Sequence, residues 1–229
     1  MLDNRLDAVA KYVTPMSRVV DVGTDHALLP IYLIKNNITD KVIGIEVNEG
    51  PYQKAREKVS SMGLDDRIKI LRGDGLEPIA DCLVDIVVIA GLGSRTIVDI
   101  LKKGAKTLEN TKRLIFQPMN KSDILRHYLI NQGWYLFDEE LILENNRLYE
   151  VIVAEPGQSQ EIEDMLVEIG PVLFKKRHEL LPLLLEEKMK RYIKIADDLE
   201  KSSDFVSQQK IRYYLSKAKK IEKVLVSCL

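Results

Sequence analysis

Short apolar runs alternate with longer amphipathic stretches through the first two thirds of the chain. Five runs rich in Val, Ile and Leu predict buried strands, at residues 18–23, 41–48, 67–74, 84–91 and 113–118. The stretches between them carry apolar residues at steps of three and four, which is the helical period. This alternation is typical of an α/β domain in which helices cover a parallel sheet.

The end of this region predicts a sheet edge of a different kind. After a predicted helix at about 122–132, Gly133 leads into two strand-like runs that are separated by Asn145 and Asn146. An Asn pair between two such runs is typical of an antiparallel hairpin. We therefore expect a seven-stranded, mostly parallel sheet whose last pair of strands is antiparallel.

A Pro/Gly/Ser stretch at 155–159 marks the best domain boundary, which predicts one domain at 1–157 and a second at 158–229. Beyond it no strand pattern recurs, and two series of apolar residues follow a heptad spacing. The series are Leu185, Met189, Tyr192, Ala196, Leu199 and Ile211, Tyr214, Ala218, Ile221, Leu225. Joined at 201–204, where Ser and Asp can cap the second helix, they predict an antiparallel, coiled-coil-like helical hairpin. Equally, this hairpin could serve only to pack on the sheet domain or on another chain.

Composition and charge narrow the class of protein. The chain has 34 Lys+Arg and 35 Asp+Glu, a net charge of −1, which excludes a uniformly polybasic nucleic-acid binder. No apolar run approaches the ~20 residues of a membrane helix, and the N-terminus does not resemble a signal peptide. Cys82 and Cys228 lie far apart, which favours a reducing cytoplasm over a disulfide scaffold or a metal site. We expect a cytoplasmic protein, more readily monomeric than oligomeric.

The loop after the first strand indicates the class of ligand. A nicotinamide-dinucleotide site needs Gly-x-Gly-x-x-Gly here, but the chain reads Asp21-Val22-Gly23-Thr24-Asp25-His26 and keeps one of the three glycines. This ranks a nicotinamide-dependent reductase last. Carboxylates at 21 and 25 favour a cationic ligand without a phosphate, and S-adenosylmethionine fits through its ammonium and sulfonium groups.

Two further carboxylates follow the next strands. Glu46 ends the second strand and can accept both ribose hydroxyls of an adenosine, and Asp74 ends the third and can accept the adenine amine. One acidic strand end alone is as easily a solvated terminus or a helix cap. Three at successive strand ends favour an adenosine site.

The chain resembles the class I S-adenosylmethionine-dependent methyltransferases through Asp21, Glu46 and Asp74. The likeness is narrower in five segments that are followed by a helical hairpin: in order, VVDVGTDHALLP, GDGLEP, VIAGLG, LIFQP and LYEVIVAEPG. Through these segments the chain is similar to the bacterial family that methylates N1 of adenine 22 in tRNA. The resemblance implies a Rossmann-like methyltransferase domain, a C-terminal coiled-coil-like domain and a tRNA substrate.

The resemblance also carries over a set of site residues. The expected cofactor-binding positions are Asp21, Gly23, Glu46, Val47, Asp74, Gly75, Ala90, Gly91 and Gly93. Arg5 matches a family motif that precedes the first strand and is expected to reach RNA or line the pocket. The chain departs from the family pattern at Ser94, where glycine is usual, and at Met119, which displaces the asparagine of the fifth-strand motif to Asn120.

The fourth-strand loop bears on the atom that is methylated. Methylation of an exocyclic amine usually needs an Asn/Asp-Pro-Pro-aromatic motif there, whereas this chain has Ala-Gly-Leu-Gly at 90–93. A ring nitrogen with a lone pair needs alignment only, and it becomes cationic on methylation. Asp25 is the candidate for stabilising that charge. His26 is the candidate for orienting Asp25 or accepting a proton, and Asn120 is the third catalytic candidate. Alternatively, Asp25 caps the following helix and His26 packs in its first turn.

Charge differs between the two predicted domains, with a net −3 over 1–157 and a net +2 over 158–229. In the last helix Lys217, Lys219 and Lys220 are the expected phosphate-contacting residues, and 175–177 form a second basic cluster. A solvated helix face explains such lysines about as well. Two other functions stay open: a class I methyltransferase that acts on another base, a protein or a small molecule, and a non-catalytic module that docks RNA or protein.

Overall fold

The computed structural model of the chain describes residues 4–159, 161–200 and 205–228. Its first unit contains a seven-stranded sheet. The strands are β1 (Val19–Val22), β2 (Val42–Glu46), β3 (Ile68–Arg72), β4 (Ile86–Leu92), β5 (Arg113–Pro118), β6 (Trp134–Glu144) and β7 (Arg147–Pro156). Their order is β3-β2-β1-β4-β5-β7-β6. β1 to β5 are parallel, and β7 runs antiparallel to β5 and to β6, which confirms the predicted sheet.

The strand order places the site. β1 pairs with β2 on one side and with β4 on the other, so the chain reverses its direction of winding at β1. In open α/β sheets such a switch point leaves a crevice at the carboxyl ends of the strands, where ligands bind. The strands around it consist of β-branched and aliphatic residues, and Val87, Val88 and Ile89 of β4 have no exposed surface.

Six α-helices lie in the described part of this unit, residues 4–159 and 161–162. They are α1 (Asn4–Ala10), α2 (Leu28–Lys35), α3 (Glu49–Ser61), α4 (Ser94–Lys103), α5 (Ala105–Leu108) and α6 (Ser122–Asn131). A short 3-10 turn at Asp25–Ala27 precedes α2. α2, α3 and α4 each follow a strand that ends at the crevice, so the loops between strand and helix form its walls.

The chain divides into two compact units, Met1–Ile162 and Glu163–Leu229, whereas the composition placed the boundary after residue 157. The second unit contains α7 (Asp164–Ile169), α8 (Pro171–Lys175), α9 (Leu181–Glu200) and α10 (Phe205–Cys228). α9 and α10 pack against each other as a helical hairpin, as predicted, and bury residues of both heptad series, including Leu185, Ala196, Ala218 and Ile221. The expected connection and cap at 201–204 lie outside the described residues.

Candidate active site

A cavity of about 470 Å³ opens at the carboxyl ends of β1 to β4 in the first unit. Its volume falls in the range of small-molecule sites. The predicted site residues that line it are Arg5, Asp21, Gly23, Asp25, Glu46, Val47, Asp74, Gly75, Ala90 and Gly91. His26, Gly93 and Asn120 are near neighbours in the chain or in space but do not line it. Lys217, Lys219 and Lys220 belong to the second unit.

Asp21 is a buried carboxylate in the floor of this cavity, with 6% of its surface exposed. Burial raises the pKa of Asp21 to about 6; the negative charge of Glu46 adds to the rise and the Thr24 side chain opposes it. The loop after Asp21 is fixed to β2, because the N–H groups of Gly23 and Thr24 both donate to the Ile45 carbonyl, at 2.8 and 3.0 Å. Gly23 has a φ of +78°, which favours glycine at this turn. Two adjacent buried carboxylates make a site that is stabilised by a cation.

Glu46 is held by the residue that begins the next loop. The backbone N–H and the side-chain amide of Asn48 donate to Oε1 of Glu46, at 3.0 and 3.3 Å. Both bonds use Oε1, so within the described part of the chain Oε2 has no hydrogen-bond donor. The carboxylate is 7% exposed and lines the cavity. It is therefore oriented to accept hydroxyl groups from a ligand.

Asp74 differs from the other two carboxylates because it already has a cation. Nζ of Lys103, in the last turn of α4, lies 2.6 Å from Oδ2 of Asp74. Lys103 could not be assigned from the sequence, because it is 29 positions from Asp74 and no local pattern links the two residues. The flanking Gly73 is sterically required, and the flanking Gly75 is favoured by its φ of +57° and a tight neighbour. A Cβ on Gly73 would lie 2.2 Å from Cγ of Pro78, and one on Gly75 would lie 3.0 Å from Ile100.

Asp25 and His26 stand at the entrance. Nε2 of His26 lies 3.5 Å from Oδ1 of Asp25. The His26 side chain is 45% exposed and the Asp25 side chain is 70% exposed. Ala27, not Asp25, precedes α2, and that position makes no side-chain capping bond. His26 and Ala27 both have positive φ, at 55° and 51°. Two successive non-glycine residues in this region are strained, and such strain is concentrated at functional sites.

Asn120 lies beside the fourth-strand loop. A Cβ on Gly93 would be 3.6 Å from Nδ2 of Asn120, so the amide is packed against the glycine. The N–H of Met119 donates to the Leu92 carbonyl at 2.9 Å, and Leu92 lines the cavity. The Met119 side chain is 46% exposed. The displaced asparagine is thus close to the cavity edge, one residue away from its lining.

The cavity also has residues that the sequence analysis did not assign. They are Leu6, Val22, Leu28, Leu29, Ile45, Asn48, Gly73, Leu92, Thr96 and Ile100. Thr96 and Ile100 are four positions apart on α4, so the helical period after β4 was a usable signal for them. Leu28 and Val47 are 41% and 53% exposed and give the entrance an apolar surface.

The three predicted lysines of α10 have different surroundings. Lys219 and Lys220 are exposed. Nζ of Lys217 lies 2.6 Å from Oε2 of Glu168 and faces the rings of Tyr192 and Tyr213, at 5.4 and 5.2 Å from their centroids. Burial lowers the pKa of Lys217, but the hydrogen bonds to Glu168 and Tyr213 and the negative charge of Glu168 together outweigh it, so the pKa is raised overall. Lys217 therefore has a structural partner within its own unit.

Two further properties concern metals and membranes. Among the residues that the structure describes, no three His, Cys, Asp or Glu side chains are grouped as metal ligands. None of the helices in the described ranges is long and apolar enough to span a bilayer.

Comparison with known proteins identifies the family. Residues 19–224 match TrmK, the family described as tRNA (adenine(22)-N(1))-methyltransferase. The chain belongs to the TrmK family. A Bacillus subtilis tRNA (adenine(22)-N(1))-methyltransferase is 30% identical over 230 residues, which cover 98% of this chain and 97% of that protein. The family predicted from the sequence is confirmed.

Solved structures of TrmK relatives agree over the whole chain. A Streptococcus pneumoniae putative tRNA (m1A22) methyltransferase is 33% identical with a TM-score of 0.88, over 98% of this chain and 100% of that one. The same protein has been solved in complex with S-adenosyl-L-methionine. TrmK of M. capricolum, solved with S-adenosyl-homocysteine, is 28% identical with a TM-score of 0.86, over 98% and 99% of the two chains. The predicted Rossmann-like methyltransferase fold is confirmed.

Proposed function

We propose that this TrmK chain transfers the methyl group of S-adenosylmethionine to N1 of adenine 22 in tRNA. One observation carries the proposal beyond family membership: the cavity at the ends of β1 to β4 brings together the buried carboxylates Asp21 and Glu46. That pair fits a cationic adenosine derivative. It fits a dinucleotide less well, because Asp21, near the carboxyl end of β1, would repel a pyrophosphate placed at the loop that follows.

The residues of the cavity fit the cofactor in three respects. Asn48 holds Oε1 of Glu46, so Oε2 would accept the ribose hydroxyls of a bound cofactor. Asp21 supplies a buried negative charge for the ammonium group, and the second oxygen of Asp74 can accept the adenine amine while Lys103 holds Oδ2. The bound cofactor supplies a methyl group that is activated by a positively charged sulfur.

The acceptor side of the cavity suits a ring nitrogen. The loop at 90–92 lines the cavity with Ala, Gly and Leu, which have no side chain to accept amine protons. Asp25 is exposed within the cavity and is placed to stabilise the positive charge that N1 methylation leaves on adenine. His26 lies beside this carboxylate and can orient it, and Asn120 is packed on Gly93 at the end of the loop.

The tRNA is expected to need contacts outside the cavity. Adenine can reach the site only when it is splayed out of its stack, while the phosphate backbone is held elsewhere. We assign this role to the exposed Lys219 and Lys220 of α10, and an anion-binding role to Arg5 at the cavity. We further propose that the protein acts as a cytoplasmic monomer. The free, exposed Cys82 supports a reducing compartment.

Calorimetry tests the cofactor class. The protein is titrated with S-adenosylhomocysteine and, separately, with NADH, and Glu46→Gln serves as the site variant. We expect binding of S-adenosylhomocysteine and none of NADH, with at least tenfold weaker binding in the variant because a ribose hydroxyl loses a charged acceptor. Binding of NADH alone overturns the proposal. Transfer of labelled methyl to bulk tRNA then separates a tRNA enzyme from a protein or small-molecule methyltransferase and from a docking module.

A further inference from the structure

The charge of the cavity lining is uneven. Four carboxylates line it, from Asp21, Asp25, Glu46 and Asp74. Among the described lining residues, Arg5 is the single one with a basic side chain. If the chain acts as proposed above, both reactants bring an oxyanion to this cavity or its entrance: the carboxylate of the cofactor's amino-acid end, and the phosphate that adjoins the splayed adenine. The carboxylates repel such groups, so an oxyanion is drawn to Arg5.

A tyrosine on the sheet faces Arg5. Cζ of Arg5 lies 5.3 Å from the ring centroid of Tyr149, which is within the range of a cation–π interaction. Arg5 is on the seven-residue helix α1, whereas Tyr149 is in β7, paired with Ile142 of β6. A helix this short has little stability of its own. The side chains of α1 are therefore held mainly by contacts with the sheet, such as the contact between Arg5 and Tyr149.

Glu150, the residue after Tyr149 on β7, fixes this part of the strand. Oε2 of Glu150 accepts a hydrogen bond from the fully buried Arg126 at 2.5 Å, and Oε1 accepts one from Ser122 at 2.8 Å. Both partners belong to α6, so β7 is tied to that helix beside Tyr149. At the other end of the contact, the N–H of Asn4 donates to Glu144 of β6 at 2.8 Å. The ring that faces Arg5 thus stands on a well-anchored surface.

We propose that Arg5 is the oxyanion-binding residue of the cavity and that Tyr149 is the positioning residue that holds its guanidinium there. The inference rests on the proposed function and extends it to a residue outside the cavity lining. Tyr149 acts through the face of its ring, because the attraction comes from the ring quadrupole. Phenylalanine therefore preserves the effect and leucine removes it.

The experiment compares Arg5→Met, Tyr149→Phe, Tyr149→Leu and the double variant Arg5→Met with Tyr149→Leu. Tyr52→Leu is the matched control, since Tyr52 faces Arg56 at 5.6 Å on α3 and neither residue lines the cavity. Three quantities are measured. These are the Kd of S-adenosylhomocysteine, the Kd of 5′-methylthioadenosine, which lacks the amino-acid end, and kcat/KM for tRNA at saturating cofactor.

We expect Arg5→Met to lose about tenfold or more in one of two arms, since a charge-assisted hydrogen bond is lost. Weaker binding of S-adenosylhomocysteine with unchanged binding of 5′-methylthioadenosine identifies the cofactor carboxylate as the oxyanion. A lower kcat/KM for tRNA with both Kd values unchanged identifies an RNA phosphate. Tyr149→Leu lowers the same quantity by about threefold to thirtyfold, Tyr149→Phe stays within about twofold, and the double variant is no worse than Arg5→Met.

Three results overturn the inference: Arg5→Met unchanged in both arms, Tyr149→Phe as damaging as Tyr149→Leu, or losses that add fully in the double variant. Thermal unfolding of each variant, read beside Tyr52→Leu, separates these from a folding defect, and Tyr149→Met replaces Tyr149→Leu if the latter does not fold. A wild-type protein that neither binds S-adenosylhomocysteine nor methylates tRNA contradicts the proposed function instead.

Discussion

The hydroxyl of Ser94 donates a hydrogen bond of 2.7 Å to the backbone carbonyl of Asn120. Ser94 is fully buried and begins α4 directly after Gly93. These are the two loops in which the chain departs from the family pattern, with serine for glycine at 94 and with Met119 displacing the asparagine. One departure therefore supplies the donor that fixes the other, and the displaced Asn120 is held against the fourth-strand loop.

We predict that Ser94→Ala lowers the free energy of unfolding by about 0.5 to 1.5 kcal/mol, because the part-buried hydrogen bond to the Asn120 carbonyl is lost. The measurement is urea denaturation followed by the fluorescence of Trp134, the one tryptophan of the chain. Ser61→Ala is the control: its hydroxyl donates to the Lys58 carbonyl at 2.9 Å, but on an exposed helix end. Equal losses in the two variants would show that the bond between the loops contributes no more than a hydrogen bond on an exposed helix end.

The raised pKa of Asp21 predicts that the stability of the fold depends on pH. Its pKa in the folded protein is raised to about 6, above the ordinary 3.8. The stabilisation linked to its proton is complete below pH ~4 and is lost as the pH rises through ~6. Asp21→Asn should therefore be more stable than wild type at pH 8, by an amount on the order of 1 to 3 kcal/mol.

The gap should shrink as the pH falls through ~6 and close below ~4, in denaturation curves measured from pH ~3 to ~8. The same variant should bind S-adenosylmethionine more weakly, since the cation loses its carboxylate.

Asp85→Asn should change the stability in the opposite direction. Hydrogen bonds from Arg18 hold the pKa of Asp85 well below its usual range, so this variant should be less stable than wild type at neutral pH. Parallel curves for Asp21→Asn and wild type across the whole range would contradict the account of Asp21.

Variants at Asp74 and Lys103 distinguish ligand binding by the carboxylate from the effect of the ion pair between the two residues. We predict that Asp74→Ala weakens S-adenosylhomocysteine binding by about tenfold, because the adenine amine loses its acceptor. Lys103→Met should change the Kd by less than about fivefold, since the ion pair is half exposed and contributes little. Calorimetry on both variants checks this. If Lys103→Met is the more damaging of the two, the lysine and not the carboxylate carries the contact with the ligand.

The sequence was sufficient for the sheet because a strand buried on both faces must be a continuous apolar run, as β4 is. It was also sufficient for the gathering of Asp21, Glu46 and Asp74, since the carboxyl ends of parallel strands meet at one edge. α7 and α8 were missed, because helices of six and five residues are too short for a periodic pattern to be recognised.

Pairings between distant side chains could not be predicted from the sequence, for a different reason. Lys217 and Glu168 are 49 positions apart, and only the packing of the second unit brings them together. Lys217, Lys219 and Lys220 look alike in the sequence, yet the first is an ion-pair partner and the other two are exposed. Burial of a lysine depends on its neighbours in space, which composition does not contain.

The exposed lysines of α10 give a charge-reversal test. We predict that Lys219→Glu with Lys220→Glu weakens tRNA binding by at least tenfold at low salt and reduces its salt dependence, because phosphate contacts are lost. The Kd of S-adenosylhomocysteine should be unchanged. Lys41→Glu with Lys54→Glu, two exposed lysines of the first unit, is the control of equal charge. Unchanged tRNA affinity in the α10 variant would show that this face does not bind RNA.

The central claim is tested most directly by methyl transfer to two tRNA transcripts that differ only at position 22, one with adenine and one with guanine. Each is incubated with the wild-type protein and labelled S-adenosylmethionine, then digested to nucleosides and separated. We predict label in 1-methyladenosine from the adenine-22 transcript and none from its guanine-22 partner. Equal labelling of both transcripts, label in a different nucleoside, or no label despite intact S-adenosylhomocysteine binding would contradict the account.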